Sequence, residues 1–311
     1  MLFLLVLQVL SPLAVVIWWI VRPPRDGLTM VLHSAAILLL ITALLLTGLW
    51  TVLPWWLPWL YVALAVAGLV RLMRMPLRRR LPDGRGWLRA AILAGVALLG
   101  GRFAAEGTAG PRMPAVQPVK LAWPLGPGAV MVANGGSNLA VSSHAETLDL
   151  SLPRHRRWTG QSYGVDLVGL TTWGRSTGGL QPSDPGRYAI WNRPVLAPCN
   201  GRVLAARDGA PDNAVPFVPQ DADPGNHVLL RCAEADVLLA HFRRGTVQVR
   251  AGEQVRTGQP LGAVGNSGAS SEPHLHIHAQ TPGTEAEPFS GRPLPILLQG
   301  RWLLRNDRLS G

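Results

Sequence analysis

Pro273-His274-Leu275-His276-Ile277-His278 sets three histidines in strict alternation with two apolar residues. On a β-strand alternate side chains share a face, so one face carries three imidazoles while Leu275 and Ile277 pack on the other. Imidazole rows of this kind suit transition metals, zinc above all. A lone histidine in such a place reads more simply as a solvated or core residue. Strict alternation just after the Gly/Ser-rich stretch 265–271 favours a metal site, and the strand predicts a β-rich fold around it.

Working outward, the chain of 311 residues divides by composition. Residues 1–105 are apolar and rich in Trp, Leu and Val and read as a polytopic transmembrane anchor; 106–120 read as a linker and 121–311 as a soluble, mainly-β domain. Residues 1–106 carry ten Arg against Asp26, Asp83 and Glu106, so more than half of the +11 net charge lies beside apolar segments. The basic balance therefore speaks for membrane flanks, and with no basic stripe among aromatics it does not point to nucleic acid.

Four apolar runs, 2–21, 28–52, 55–72 and 88–101, are candidate spans, the last the weakest because its uncharged stretch is short. The first lacks the basic start and small-residue cleavage site of a signal peptide. Arg22 and Arg25 follow the first run, and Arg71, Arg74, Arg78, Arg79, Arg80 and Arg85 follow the third, whereas the loop after the second is uncharged. The positive-inside rule places both basic loops in the cytoplasm. Four spans then put the C-terminal domain outside, and three would put it inside. The spans hold no acidic residue, and within the second only His33 is ionisable, which suits an anchor better than a transport path.

In the C-terminal part, short apolar-alternating runs at 194–203, 227–232, 237–241, 246–250, 259–264 and 274–279 predict strands of an antiparallel sheet, sandwich or barrel. Two long connections, 169–188 and 208–225, are long enough to be functional loops. Cys199 and Cys232 both lie in or beside strand-like segments, and either a disulfide or two buried thiols satisfies the sequence. Residues 252–265 have the look of a biotinyl or lipoyl carrier hairpin, but no lysine stands at its tip to take the cofactor. His144 and His155 read as solvated loop residues, Arg154–Arg157 as a solvated basic patch, His227 as a strand-face residue, and Asn226 and Asn266 as turn formers.

Five segments in order carry a resemblance: Tyr163-Gly164-Val165-Asp166, Asn192-Arg193-Pro194-Val195-Leu196-Ala197-Pro198-Cys199-Asn200-Gly201-Arg202-Val203, Gly225-Asn226-His227-Val228-Leu229-Leu230, Leu239-Ala240-His241-Phe242, and Gly265-Asn266-Ser267-Gly268 followed by Pro273-His274-Leu275-His276. Together they resemble the M23 family, the lysostaphin/LytM-type zinc metallopeptidases that cut peptide cross-links in bacterial cell walls, over a core of about residues 155–290. The resemblance implies the antiparallel groove of that family's duplicated-hybrid-motif fold. It also implies Asp166 and His276 as zinc ligands, and His241 and His274 as non-ligand histidines that handle the protons of the attacking water.

One position departs from the pattern. The family's first motif has a ligand histidine four residues before the aspartate, and here that residue is Ser162. His278, on the same strand face as His276, is the expected substitute ligand, with His227 and His155 as lesser candidates and Gln161 as a weaker oxygen donor. Otherwise the site is empty, and the domain binds peptidoglycan or regulates other hydrolases. The implied protein is a membrane-anchored zinc endopeptidase. It sits in a bacterial inner membrane with its domain in the periplasm, acts on peptidoglycan peptides, and has cell-wall hydrolases or divisome proteins as possible partners.

Overall fold

The computed structural model describes residues 2–74, 80–219, 223–284 and 286–310. Arg78 and Arg79 of the basic loop, and 220–222 of the second long connection, lie outside the described residues. The chain forms two compact units, Met1–Gly48 with Trp55–Ala109, and Leu49–Pro54 with Gly110–Gly311.

The first unit is helical: Ser11–Val21, Gly27–Thr47, Leu57–Met73 and Gly86–Ala109. Asp26 caps the second of these by accepting the Thr29 N–H at 2.8 Å, which satisfies one of the orphan donors of a helix start. Gly100 lets Gly86–Ala109 approach Gly27–Thr47 closely, since a Cβ there would lie 2.9 Å from the Leu40 nitrogen, the small-residue contact familiar between membrane helices. By length and composition Gly27–Thr47 and Gly86–Ala109 are the two helices fit to cross a membrane among the described residues, while Val6–Val21 and Leu57–Met73 are shorter. The fourth run, expected to be the weakest, thus forms a 24-residue helix. Its flanks Gly86–Trp87 and Arg102–Ala109 continue the helical hydrogen bonding beyond the uncharged stretch, so the expected linker is helical to Ala109.

The second unit holds β1 (Val119–Leu121), β2 (Ala129–Asn134), β3 (Val165–Gly169), β4 (Pro194–Leu196), β5 (Gly201–Arg207), β6 (His227–Cys232), β7 (Ala235–Ala240), β8 (Gln254–Val255), β9 (Pro260–Ala263), β10 (Leu275–Gln280), β11 (Pro293–Leu294), β12 (Ile296–Leu298) and β13 (Arg308–Ser310). The main sheet runs β13-β2-β3-β10-β7-β6-β5-β8, with β11 on β10, and its pairings are antiparallel. Smaller pairs, β4 with β9 and β1 with β12, complete the unit.

One face of the sheet presents Val165, Leu167, Val228, Leu230, Val237, Leu239, Leu275 and Ile277 to a single core. The other face carries a smaller apolar cluster of Leu229, Leu238 and Ala240 beside Asp166, His276 and His278 of β3 and β10. The expected strand at 194–203 divides into β4 and β5 around a turn, and 246–250 is a loop. The sheet's β2 and β3 were not expected: β3 is buried at every position, so it lacks the polar alternation by which a half-exposed strand is recognised.

Leu49–Pro54 is part of this unit, with Trp50, Thr51, Val52 and Leu53 buried and the Ser176 N–H donating to the Thr51 carbonyl at 2.6 Å. The expected second span therefore ends at Thr47, five residues early.

Cys199 and Cys232 form a disulfide, with Cα atoms 5.9 Å apart, across a separation of 33 residues. It ties the turn before β5 to the end of β6. Closing a loop of that length restricts the unfolded chain, so Cys199→Ser with Cys232→Ser should lower stability by about 3–4 kcal/mol, measured by urea unfolding with and without reductant. Equal midpoints for the oxidised and doubly substituted proteins would contradict this.

Candidate metal centre

The register of three strands builds the site. β10 pairs with β3 so that His276 stands opposite Asp166, and with β7 so that His276 stands opposite Ala240, one residue before His241. His276 Nδ1 lies 2.8 Å from Asp166 Oδ1. On the other carboxylate oxygen, Oδ2, converge His144 Nε2 at 2.9 Å and the Asn134 side-chain amide, which donates at 2.8 Å. His274 Nε2 is 3.6 Å from Oδ1.

Burial opposes ionisation of Asp166, but His144, His274 and His276 more than offset it and hold the carboxyl well below its usual range. Burial also opposes the charge on His144, yet Asp166 raises its pKa. His276 is pushed down to about 4, by burial first, against its bond to Asp166. The carboxylate is thus ionised while a neutral imidazole bonds to it, and a cation entering between them replaces a proton.

His241 and His274 face each other with ring centroids 4.7 Å apart. His241 Nδ1 donates to the Ser267 carbonyl at 2.9 Å, and His274 Nδ1 donates to the Glu272 carbonyl at 2.8 Å. A carbonyl only accepts, so each ring carries a proton on Nδ1, and Nε2 is the nitrogen left for chemistry. Burial keeps His241 neutral, far below its ordinary value.

His241 holds a left-handed backbone, φ 68°, which costs a β-carbon residue about 1–2 kcal/mol and is sustained by the Gly265-Asn266-Ser267-Gly268 turn. There the Ser267 hydroxyl donates to the Phe242 carbonyl at 2.8 Å and accepts the Asn226 N–H at 2.9 Å. Asn226 and Asn266 are therefore buried fasteners, their amides donating to Phe242 and Asn213 carbonyls; Gly225 and Gly268 take the left-handed turns instead.

The remaining expected residues fall as follows. His278 stands behind His276, with its Nδ1 2.9 Å from His276 Nε2. An imidazole that binds metal through Nδ1 needs a partner for its other nitrogen, and His278 supplies one. Ser162 is fully buried and turned to Thr147, whose hydroxyl is 2.8 Å away.

His155 is buried rather than solvated, its Nδ1 donating to the Asp149 carbonyl at 2.9 Å. His227 is held by the Gly225 carbonyl at 2.8 Å and faces Phe289. His144, read from the sequence as solvated, is mostly buried, with 16% of its side chain exposed. It carries no motif; its only sequence signal is being a histidine upstream of Asp166.

Donor atoms of His144, Asp166 and His276 all lie within 4.8 Å of one another. Two imidazoles and a carboxylate are a set found on catalytic zinc, which takes about three protein ligands and keeps one position open. The donors fit that ion. They line a cleft of about 1010 Å³ that also exposes His241, His274, Gln161, Glu272, Arg154 and Arg157. Burial, then Asp166, raise the Glu272 carboxyl to about 7.

Residues 188–288 match the model of Peptidase family M23. With a buried His-Asp-His cluster on an antiparallel sheet, the features are those of a metallopeptidase-type domain. Residues 188–288 thus carry a Peptidase family M23 domain of a divergent kind. The match begins downstream of His144, Ser162 and Asp166.

Among solved structures, the catalytic domain of lysostaphin from Staphylococcus simulans is 22% identical, over 40% of this chain and 71% of that one, with a TM-score of 0.26. A mutant catalytic domain of the prophage-encoded M23 protein EnpA from Enterococcus faecalis is 20% identical, over 39% and 68%, with a TM-score of 0.26. A zinc-containing peptidase from Vibrio cholerae is 16% identical, over 37% and 46%, with a TM-score of 0.23. No curated protein matches the chain significantly.

Gly164 precedes β3 where a Cβ would lie 2.7 Å from His276 Cε1 and 2.9 Å from the Gln161 carbonyl. Gly164→Ala should push the imidazole off Asp166 and weaken zinc binding about tenfold or more while leaving the unfolding transition cooperative. Unchanged affinity in a competition titration would show that the ring is not held where it stands.

Proposed function

We propose that this chain is a membrane-anchored, zinc-dependent endopeptidase that hydrolyses peptide cross-links of peptidoglycan. The observation that carries the reading is the pairing of a three-donor cluster with two imidazoles whose Nδ1 protons are pinned to carbonyls. Zinc bound there supplies Lewis acidity and a water acidic near neutral pH, at about 7.

The protein's own residues do the rest. His241 or His274 takes a proton from the attacking water at Nε2 and delivers that same proton to the leaving amine. Arg154 and Arg157 at the cleft, both largely exposed, suit the carboxylates of wall peptides. In the full-length protein, in detergent, loaded zinc should accompany release of muropeptides from sacculi. Chelation should abolish release, and His241→Ala or His274→Ala should lower it about 100-fold or more with zinc retained. Equal release after chelation, or none from the zinc-loaded protein, overturns the reading. The serine at 162 favours a second, non-catalytic reading as a wall-binding or hydrolase-regulating module, which predicts sacculus binding without release.

An extracytoplasmic placement in the inner membrane is supported by chain connectivity. Leu49–Pro54 and Gly110–Gly311 share one unit, so the helices between them, Leu57–Met73 and Gly86–Ala109, cross the membrane as a pair or not at all. The connection between those helices holds Arg74, Arg80 and Arg85, which the positive-inside rule assigns to the cytoplasm. The disulfide suits an oxidising compartment. Alkaline phosphatase fused after Gly311 should be active in cells and fused after Arg85 inactive; the opposite pattern overturns the orientation.

A further inference from the structure

Ser162 stands where the resemblance to the M23 family implies a first histidine ligand, and its hydroxyl is fully occupied. It donates to the Thr159 carbonyl at 2.7 Å and meets the Thr147 hydroxyl at 2.8 Å, in a slot with no solvent exposure. A larger side chain at 162 would displace Thr147. Thr147 belongs to the 3₁₀ turn Ser143–Leu148, the same turn that points His144 at Asp166. The small residue at 162 and the histidine at 144 are therefore two sides of one packing arrangement.

That turn is fastened from the opposite side as well. The Ser143 N–H donates to Asn134 Oδ1 at 3.0 Å, and the amide of the same side chain donates to Asp166 Oδ2 at 2.8 Å. Asn134 thus holds the carboxylate and the turn at a common distance. Arg305, on the segment leading into β13, donates to Asn134 Oδ1 at 2.9 Å, to the Ala133 carbonyl at 2.9 Å and to the Ala140 carbonyl at 3.2 Å. It grips β2 and the connection to the turn together. Asn134 and His144 lie upstream of the family match and Arg305 downstream of it.

We propose that His144 is the third metal ligand of this chain, replacing the motif histidine absent at 162, and that Asn134 and Arg305 are positioning residues that present it to the ion. The assignment rests on the zinc reading of the site but not on its catalytic use. The set Asp166, His276 and His144 draws one ligand from β3, one from β10 and one from a turn outside the family motifs. Metal binding then depends on the C-terminal segment through Arg305.

The test uses full-length protein in detergent, stripped of metal and titrated with Zn²⁺ against a chromophoric chelator and with Co²⁺ by visible absorption. His144→Ala should weaken Zn²⁺ binding at least 100-fold. Arg305→Met should weaken it about 10–100-fold while keeping the Co²⁺ band shape. Ser162→His should not restore binding to His144→Ala. His144→Cys guards against misfolding as the explanation, because a sulfur at that place should bind Co²⁺ with a thiolate-to-metal charge-transfer band in the near ultraviolet.

Wild-type affinity in His144→Ala, full rescue by Ser162→His, or a His144→Cys protein that binds Co²⁺ without the thiolate band would each overturn the assignment. Zinc loss in His144→Ala together with no muropeptide release from the wild type would sustain the ligand and sink the peptidase reading.

Discussion

Asp166 is a carboxylate taken out of water, with His276 on one oxygen and His144 and Asn134 on the other. A buried charge of this kind is tolerated only when donors or cations surround it, and every element of the second unit that supplies one is fixed by that demand. β10 must bring His276 opposite Asp166, which sets its register against β3. A shift of one residue would turn the imidazoles into the core and Leu275 and Ile277 into the cleft.

The same strand logic separates two tasks. The face of β10 with Leu275 and Ile277 belongs to the core, and the other face carries the imidazoles. His241 enters from the end of β7 in a strained backbone conformation, and His274 from the start of β10. Both rings are tied at Nδ1 to backbone carbonyls of one buried turn region. Strain at His241 and the dense bonding of Asn226, Asn266 and Ser267 go together: a left-handed histidine persists because its surroundings over-determine it.

The fold was legible where alternation survives. β6, β7, β9 and β10 fall close to their expected positions because each has a chemically distinct pair of faces or a clear turn beside it. β2 and β3 were invisible to periodicity because they are apolar or buried on both faces. In the helical unit, the helix through 88–101 exceeded its expected length because charged residues at its ends keep helical hydrogen bonding where hydropathy fades.

The sequence by itself determined the composition divide, the apolar helices, the shared face of His274, His276 and His278, and the family motifs around them. All of these depend on local period or on short contiguous strings. Only the tertiary structure decided that Cys199 and Cys232 join, that Leu49–Pro54 belongs with the β unit, and that His278 backs His276 while His144 reaches Asp166. Those facts depend on which distant segments meet. A histidine 22 residues from its partner carboxylate acquires its role from the pairing of β2 with β3 and from the grip of Arg305, neither of which leaves a periodic mark in the chain.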